Sequence, residues 1–578
     1  MTPKTKRFRA RLTLLMLTAL LVGSVVVVPS AFGATFVRVE GVVSHVHWTN
    51  ADPRNPEKGE EVYLSLDSPI AGSDILRLET VRNTTIRPTR FDDLDELDRR
   101  RVTISGRLEQ PRVPGGIPVL TAGNISVGGD ASLGKGFGLT DRPGRNVPLL
   151  TALCRFADET GNQRDQGYFE GLMGADSLAA DFWDELSYGT ITLNGSKVVP
   201  ESGPWYVLPG DVEDYLSVDD PTKMDLKKLF TDCTALAAQD VDLDDFGIVN
   251  LFFNFQLVSY SFGGSMGGRR TTWVPYSHWE QAWIPFHELG HAFRGVHSPF
   301  QSEYDNAWDL QSGAQLATQP SADFGPVPQH SNVWNKDRAG FVPGTRKRVV
   351  PIQGTTTFTL RSATNPVGSG PIMATIEPDA FHSYIIEFRT REGYDAGMPF
   401  GAENGVVIIH ENFDDPDPEG KKRRAVLMGA DGGAGARWLE GDVFKRWELT
   451  TPFVPNHNYD IDGFLIRVDE ITATSATVTV TRLPRVLLEK GERTKTSYEL
   501  TWDDASDVET RFEVQYAPVA TPEAVSTIII PGNQTSLVRQ GLGAGQSFVH
   551  RHRACNHIGC GPWSPDLVYG TRSFDIGS

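Results

Sequence analysis

The sequence has 578 residues, of which 39% are hydrophobic, and a formal net charge of −18. At a typical domain size of about 150 residues this length predicts roughly three to five domains, and the hydrophobic content excludes a chain disordered throughout. The negative charge argues against partners such as nucleic acid or an anionic membrane and is typical of a soluble extracellular protein.

The N-terminus has the organisation of an export signal. Five cations and no acid precede residue 12, an apolar run covers residues 12–28, and small residues follow at 30–34. This order predicts a cleaved signal peptide over residues 1–34, in preference to an uncleaved anchor. We therefore expect a secreted, extracellular protein with no membrane anchor.

Residues 35–135 have the patterns of an all-β domain. Segments 36–43 and 101–108 alternate apolar and polar residues with period two, which is typical of strands and admits a small barrel of the OB kind. His45 and His47 alternate on one of these strands. A solvated strand face is the favoured interpretation of that pair, over a metal site.

Residues 140–345 mix strand and helix patterns. An apolar strand-like run covers 147–156, helical spacing covers 177–186, and 247–253 has the composition of a buried central strand. This order predicts an α/β or α+β domain. Four aspartates before the last strand offer oxygen ligands for calcium, but a solvated acidic loop is the favoured interpretation. They are Asp240, Asp242, Asp244 and Asp245.

Two further β regions complete the chain. Strand patterns over residues 348–485 predict a β-sandwich. Residues 490–578 contain Trp502 and Phe548. The sequence of this region resembles a fibronectin type III domain, which implies that Trp502 is the buried aromatic between the sheets, and Phe548 stands where a corner tyrosine is usual. The resemblance lies in segments 498–502, 511–516, 548–556 and 561–564.

The chain has four cysteines, an even number that permits disulfides in an exported protein. Cys555 and Cys560 lie five residues apart, which predicts a short loop disulfide and leaves Cys154 with Cys233. Three pairings are open at this point, because sequence alone does not choose among them.

The strongest chemical signal is the run His287-Glu288-Leu289-Gly290-His291. On a helix of 3.6 residues per turn, the two histidines project from one face and can bind one zinc ion. Glu288 then leans over the open coordination position, where it acts as the general base for a zinc-bound water. This motif arises by chance in roughly one or two of a hundred such chains, so a helix with surface histidines is the weaker interpretation.

His297 is the predicted third ligand. We expect Gly295 to end the helix in a left-handed conformation, so that the chain folds back and brings His297 to the metal. Glu303 and Asp305 are the alternatives for this position.

The three histidines resemble the metzincin pattern His-Glu-x-x-His-x-x-Gly-x-x-His, with Arg294 at the glycine position. A left-handed non-glycine residue costs about 1–2 kcal/mol, so we expect the turn to be shifted by one residue, to Gly295. Segment 303–312 resembles the methionine-turn segment of gametolysin-like and immune-inhibitor-A-like secreted metallopeptidases. Gln311 replaces the methionine there, and a buried glutamine needs hydrogen-bond partners.

The resemblance to this family extends over about residues 145–480 and implies a metzincin-like fold, one catalytic zinc and endopeptidase activity. The sequence thus predicts a multidomain protein whose α+β metzincin-like zinc-peptidase domain is flanked by all-β domains. Its substrates are proteins or peptides, and its β domains offer contacts to extracellular matrix or cell wall. Two alternatives are a decayed peptidase scaffold that binds or adheres, favoured by Arg294 and Gln311, and a zinc hydrolase for another amide. Further segments of the resemblance are 182–189, 205–209, 330–341 and 387–395.

Overall fold

The protein is described here by a computed structural model, which shows a multidomain, mostly β chain with few helices. Most of the predicted signal peptide, and Glu303, lie outside the described residues. The described residues are 28–29, 35–50, 59–70, 72–87, 97–111, 113–114, 116–130, 145–161, 163–298, 304–312, 318–351, 354–377, 382–398, 404–412, 425–428, 443–445, 463–483, 487–503, 509–556, 560–561 and 563–573.

One compact unit consists of residues 1–45 and 61–131. Its five main strands form a closed ring, because β2 pairs with both β3 and β5, and β4 and β6 complete the circuit. The pair β4 and β6 is parallel. Alternate residues of β5 are buried, as its period-two pattern predicts, and they enter the barrel core. The strands are β1 (Val28–Pro29), β2 (Thr35–Asn50), β3 (Gly59–Ile70), β4 (Ser73–Arg87), β5 (Arg100–Glu109) and β6 (Val119–Asp130).

The second unit consists of residues 46–60 and 132–578, and it begins with a mixed sheet. In this sheet β8, β12 and β14 run parallel, β13 is antiparallel to β14, and residues 46–50 at the end of β2 add antiparallel to β13. Strands β10 and β11 pair with β8, whereas β7 pairs with β9. The strands are β7 (Arg145–Asn146), β8 (Leu149–Arg155), β9 (Ile191–Thr192), β10 (Lys197–Val199), β11 (Tyr206–Val207), β12 (Ile248–Phe253), β13 (Tyr260–Met266) and β14 (Arg269–Val274).

Five helices accompany this sheet in the described part of the chain, and a small hairpin, β15 (Gln319–Ser321) with β16 (Gly325–Val327), follows the fourth. The predicted helix at 177–186 is confirmed, with the Ser177 hydroxyl accepting from the Ala180 N–H as an N-cap. The buried strand predicted at 247–253 is confirmed as well, since all residues of β12 are buried. The helices are α1 (Gln166–Met173), α2 (Leu178–Leu186), α3 (Leu226–Ala237), α4 (Trp283–Ala292) and α5 (Val333–Arg338).

A β-sandwich follows, built from a five-stranded and a four-stranded sheet whose inner faces share one apolar core. The period-two patterns place alternate apolar side chains in that core. The five-stranded sheet contains β17 (Lys347–Val349), β19 (Met373–Ile376), β20 (His382–Arg389), β21 (Gly405–Asn412) and β22 (Ala425–Met428). The four-stranded sheet contains β18 (Gly354–Arg361), β23 (Val443–Lys445), β24 (Gly463–Ile471) and β25 (Ser475–Leu483).

The last region is a second sandwich of three plus four strands, in agreement with a fibronectin type III-like fold. Trp502 lies in its core, 3% exposed, as predicted. One sheet contains β26 (Glu489–Arg493), β27 (Tyr498–Thr501) and β30 (Ser536–Arg539). The other contains β28 (Arg511–Pro518), β29 (Ser526–Pro531), β31 (Ser547–Cys555) and β32 (Leu567–Gly570).

The four cysteines form two disulfides. Cys555 pairs with Cys560, which confirms the predicted loop disulfide, and Cys154 pairs with Cys233. Among the described residues, no helix is both long and apolar enough to span a bilayer.

Candidate metal centre

Helix α4 carries the predicted motif, and every residue of it is buried. Pro285 falls in the first turn, where a missing N–H is tolerated. His287 and His291 are 0% and 3% exposed, so they are not surface histidines. Since a polar group buried to this extent needs compensating partners, their role must come from their neighbours.

Three imidazoles converge at this helix. The Nε2 atoms of His287 and His291 lie 3.0 Å apart, and those of His287 and His297 lie 3.3 Å apart. Two nitrogens bound to zinc at about 2.0–2.1 Å in tetrahedral geometry lie about 3.3 Å apart. The three predicted ligands thus form a cluster that can hold a metal ion. We call His287, His291 and His297 the histidine triad.

Hydrogen bonds orient two rings of the histidine triad. Nδ1 of His287 donates to the Leu310 carbonyl (2.7 Å), and Nδ1 of His291 donates to the Gly295 carbonyl (2.8 Å). Because a carbonyl oxygen can only accept, these bonds leave both Nε2 lone pairs at the centre. Burial lowers the pKa of His287 to about 4 and the pKa of His291 well below its usual value. Both rings are therefore neutral at pH 7, as a metal ligand requires.

The turn after α4 corrects one prediction. The left-handed residue is Arg294, at φ 74°, so the expected shift of the turn to Gly295 is wrong. Gly295 is required for a different reason: a Cβ there would lie 2.9 Å from the Gly290 carbonyl oxygen and 2.8 Å from Cγ of Gln311. Position 295 therefore excludes a side chain, and the chain accepts about 1–2 kcal/mol of backbone strain at Arg294.

Gln311 lies beneath the helix, where methionine was expected from the resemblance. Its Nε2 donates to the His287 carbonyl (3.1 Å), which confirms that a buried glutamine here has a hydrogen-bond partner. A Cβ on Gly290 would stand 1.8 Å from Oε1 of Gln311. The glycine inside the motif thus makes room for this side chain.

Asp309 organises the loop beneath the histidine triad and was missed by sequence reasoning. Its carboxylate accepts from the side chains of Ser298, Asn332 and Asn335, the last at 2.7 Å. Burial, only partly offset by these bonds, raises the pKa of Asp309 to about 6. Asn335 also bonds both backbone groups of Val296, the residue before His297. Asp309 and Asn335 therefore fix the direction in which His297 enters the site.

Two aromatic rings complete the site. The Tyr304 ring lies 5.4 Å from the His297 ring. The His47 ring stacks on His291, with centroids 4.4 Å apart and planes 14° apart. His45 and His47 are 5% and 6% exposed, so the solvated strand face expected for them is wrong. The alternation of two histidines in one strand was the signal available, but only strand pairing shows what His47 meets.

The alternative ligands and the acidic loop are not part of this centre. Asp305 does not belong to the cluster that can hold a metal among the described residues. The four aspartates from 240 to 245 are exposed and form no such cluster in the described part of the chain. Asp242 instead accepts from the Asp244 N–H as the cap of a short 3₁₀ turn, which agrees with a solvated loop rather than calcium.

No protein-family model matches the chain, and no curated protein matches it in sequence. Several solved structures are similar to a short stretch of it. The third fibronectin III domain of the human KIAA0343 protein is 21% identical over 17% of this chain and 89% of its own, with a TM-score of 0.15. The fn3 domain of human contactin 1 is 17% identical over 16% of this chain and 78% of its own, with a TM-score of 0.15. A redesigned β-sandwich protein is 19% identical over 16% of this chain and 99% of its own, with a TM-score of 0.15.

Proposed function

We propose that this protein is a secreted zinc-dependent endopeptidase with a metzincin-like catalytic domain. The observation that carries the proposal is the histidine triad, whose Nε2 separations of 3.0 and 3.3 Å fit a tetrahedral ion. Glu288 lies between His287 and His291 in the sequence of α4 and is buried, and we assign it as the general base beside the metal. The family assignment rests on the motif resemblance described above.

The chemistry is hydrolysis of a peptide bond. Zinc held by the histidine triad would polarise the scissile carbonyl and lower the pKa of a bound water. Glu288 accepts a proton from the attacking water as the new C–O bond forms, and delivers that proton to the amine as the C–N bond breaks. We assign Tyr304, whose ring lies 6.4 Å from the His287 ring, as the group that donates to the carbonyl oxygen as its charge develops.

The surroundings of the site support an extracellular role. Both disulfides are of the kind that persists in an oxidising compartment. The two sandwiches are suited to contacts with extracellular matrix or cell wall. Protein or peptide substrates would therefore be met outside the cell.

The decisive test compares the full chain with its Glu288→Gln variant on a fluorogenic peptide library. Loss of a general base lowers kcat by about 10²–10⁴-fold, so we expect hydrolysis to fall by that factor while zinc content is unchanged. The matched control is Glu280→Gln, which removes a half-buried carboxylate that pairs with Arg164.

Two other results would redirect the proposal. Zinc binding without hydrolysis of any peptide would favour a decayed scaffold that binds or adheres. Hydrolysis of another amide, such as a cell-wall peptide, with the same dependence on Glu288, would keep the zinc chemistry and change the substrate.

A further inference from the structure

A segment of the chain itself lies beside the candidate site as an added strand. Residues 46–50 pair antiparallel with β13, with Val46 opposite Gly264 and Asn50 opposite Tyr260. The other side of β13 pairs with β14. Without residues 46–50, β13 would thus be the edge of this sheet, with a row of backbone donors and acceptors available.

That edge lies against the catalytic helix. A Cβ on Gly263 of β13 would stand 2.2 Å from the Glu288 carbonyl oxygen, so strand and helix meet backbone to backbone. His47 pairs with this same glycine. The residue that occupies the edge next to Glu288 is therefore His47.

The His47 ring then covers the histidine triad. It stacks on His291 at 4.4 Å and meets the His297 ring edge-on at 5.9 Å. Among the described residues, His47 is not in the cluster whose ligand atoms lie within 4.8 Å of one another. Its geometry is accordingly that of a cover over the ligands, and not that of a fourth ligand.

A polypeptide substrate needs the same place. Extended peptides bind folded proteins by adding a strand to a sheet edge, because the main chain supplies hydrogen bonds whatever the side chains are. A peptide held beside β13 would run next to α4, because β13 contacts the backbone of Glu288. One edge cannot hold residues 46–50 and a substrate at once.

We infer that residues 46–50 are a built-in occupant of the β13 edge, where an extended polypeptide substrate would otherwise bind, and that they weaken substrate binding to the full chain without abolishing hydrolysis. This inference rests on the proposed function. It assigns an extended polypeptide, antiparallel to β13, as the ligand class. Activation is then the withdrawal of this strand from β13, with the histidine triad unchanged.

A release variant tests the inference in the full chain. In a strand, adjacent N–H groups point to opposite sides, so Val46→Pro together with His47→Pro removes at least one donor to β13. A tethered occupant competes at an effective concentration near mM, so its release should raise affinity for a peptide hydroxamate by about tenfold or more. Calorimetry measures this affinity. The control His47→Ala removes the ring and keeps the backbone pairing.

A lock variant tests the opposite direction and does not depend on the release variant folding. Asn50 and Tyr260 are opposite each other, and opposed antiparallel residues lie about 4.5–5.5 Å apart between Cα atoms, within the range of a disulfide. Oxidised Asn50→Cys/Tyr260→Cys should bind the hydroxamate about tenfold more weakly than the same protein after mild reduction. Wild type treated with the same reductant is the control.

Hydrogen exchange in the metal-free protein separates this inference from the proposed zinc chemistry. Amides of residues 261–265 should exchange faster in the release variant than in wild type, whether or not zinc binds. Unchanged exchange and unchanged hydroxamate affinity in a folded release variant would overturn the inference. If that variant does not fold, equal affinity of the locked and reduced forms would overturn it.

Discussion

The second unit contains two buried polar clusters that differ in how their charges are balanced. In the histidine triad, neutral nitrogens with lone pairs face one another at 3.0–3.3 Å. Around Arg389 of β20, by contrast, each charge has an opposite partner: its guanidinium donates to both Asp395 oxygens at 2.7 Å and to Glu387 at 3.3 Å. The histidine triad can hold a metal cation from outside the chain, whereas the cluster around Arg389 already contains its cation.

The two clusters are physically connected. Arg389 also donates to the carbonyls of Trp308 and Ser331 (3.0 and 3.2 Å). Trp308 precedes Asp309, the residue that fixes the loop beneath the histidine triad. Arg389, on strand β20 of the first sandwich, therefore supports the loop beneath the histidine triad through backbone hydrogen bonds, without itself contacting the ligands.

The largest predicted effect is the loss of stability when the cation is removed from the cluster around Arg389. Arg389→Met leaves Asp395 and Glu387 buried without their cation, which should lower the free energy of unfolding by about 3–5 kcal/mol. His291→Ala should cost the metal-free protein much less, yet abolish zinc binding. Urea unfolding and zinc content of both variants check this, and equal stability losses would contradict the distinction between the two clusters.

A second effect is the pH dependence that Asp395 contributes. Burial alone would raise the pKa of Asp395, but Arg389, together with smaller contributions from His330, Lys336 and the Thr364 hydroxyl, outweighs burial and lowers this pKa to about 2. The pKa of a carboxyl group in the unfolded chain is near 3.9, so the lowered pKa of Asp395 stabilises the fold above about pH 3.9. About 2–3 kcal/mol of the free energy of unfolding is then lost as the pH falls from about 3.9 through about 2. The free energy of unfolding should change less between pH 5 and pH 3 in the Asp395→Asn variant than in wild type. A slope equal to that of wild type would refute the pairing.

The smallest effect concerns the turn after α4. Arg294→Gly relieves a left-handed side chain and should raise the free energy of unfolding by up to about 1 kcal/mol. Gly295→Ala is the matched control and should lower it, because a Cβ at 295 meets Gly290 and Gln311. Thermal denaturation of the metal-free proteins distinguishes them. The opposite order of stabilities would contradict the assignment of the left-handed conformation to Arg294 and would favour a turn shifted to Gly295.

Local patterns were sufficient for part of this structure. His287 and His291 follow from helical spacing alone, α2 follows from periodicity, and β12 follows from its apolar composition. His47 could not be found in this way, since its position depends on pairing with β13, more than two hundred residues later in the chain. The left-handed conformation of Arg294 was not predicted, because the crowding that excludes a side chain at position 295 arises only in the folded chain. Asp309 needed the contacts of Ser298, Asn332 and Asn335, which converge only in the folded chain.

Zinc stoichiometry tests the central claim most directly. After equilibrium dialysis against buffered zinc, the account predicts one tightly bound zinc per folded wild-type chain and none in folded His287→Ala, His291→Ala or His297→Ala variants. A folded wild-type chain that retains no zinc, or variants that retain as much as wild type, would contradict it.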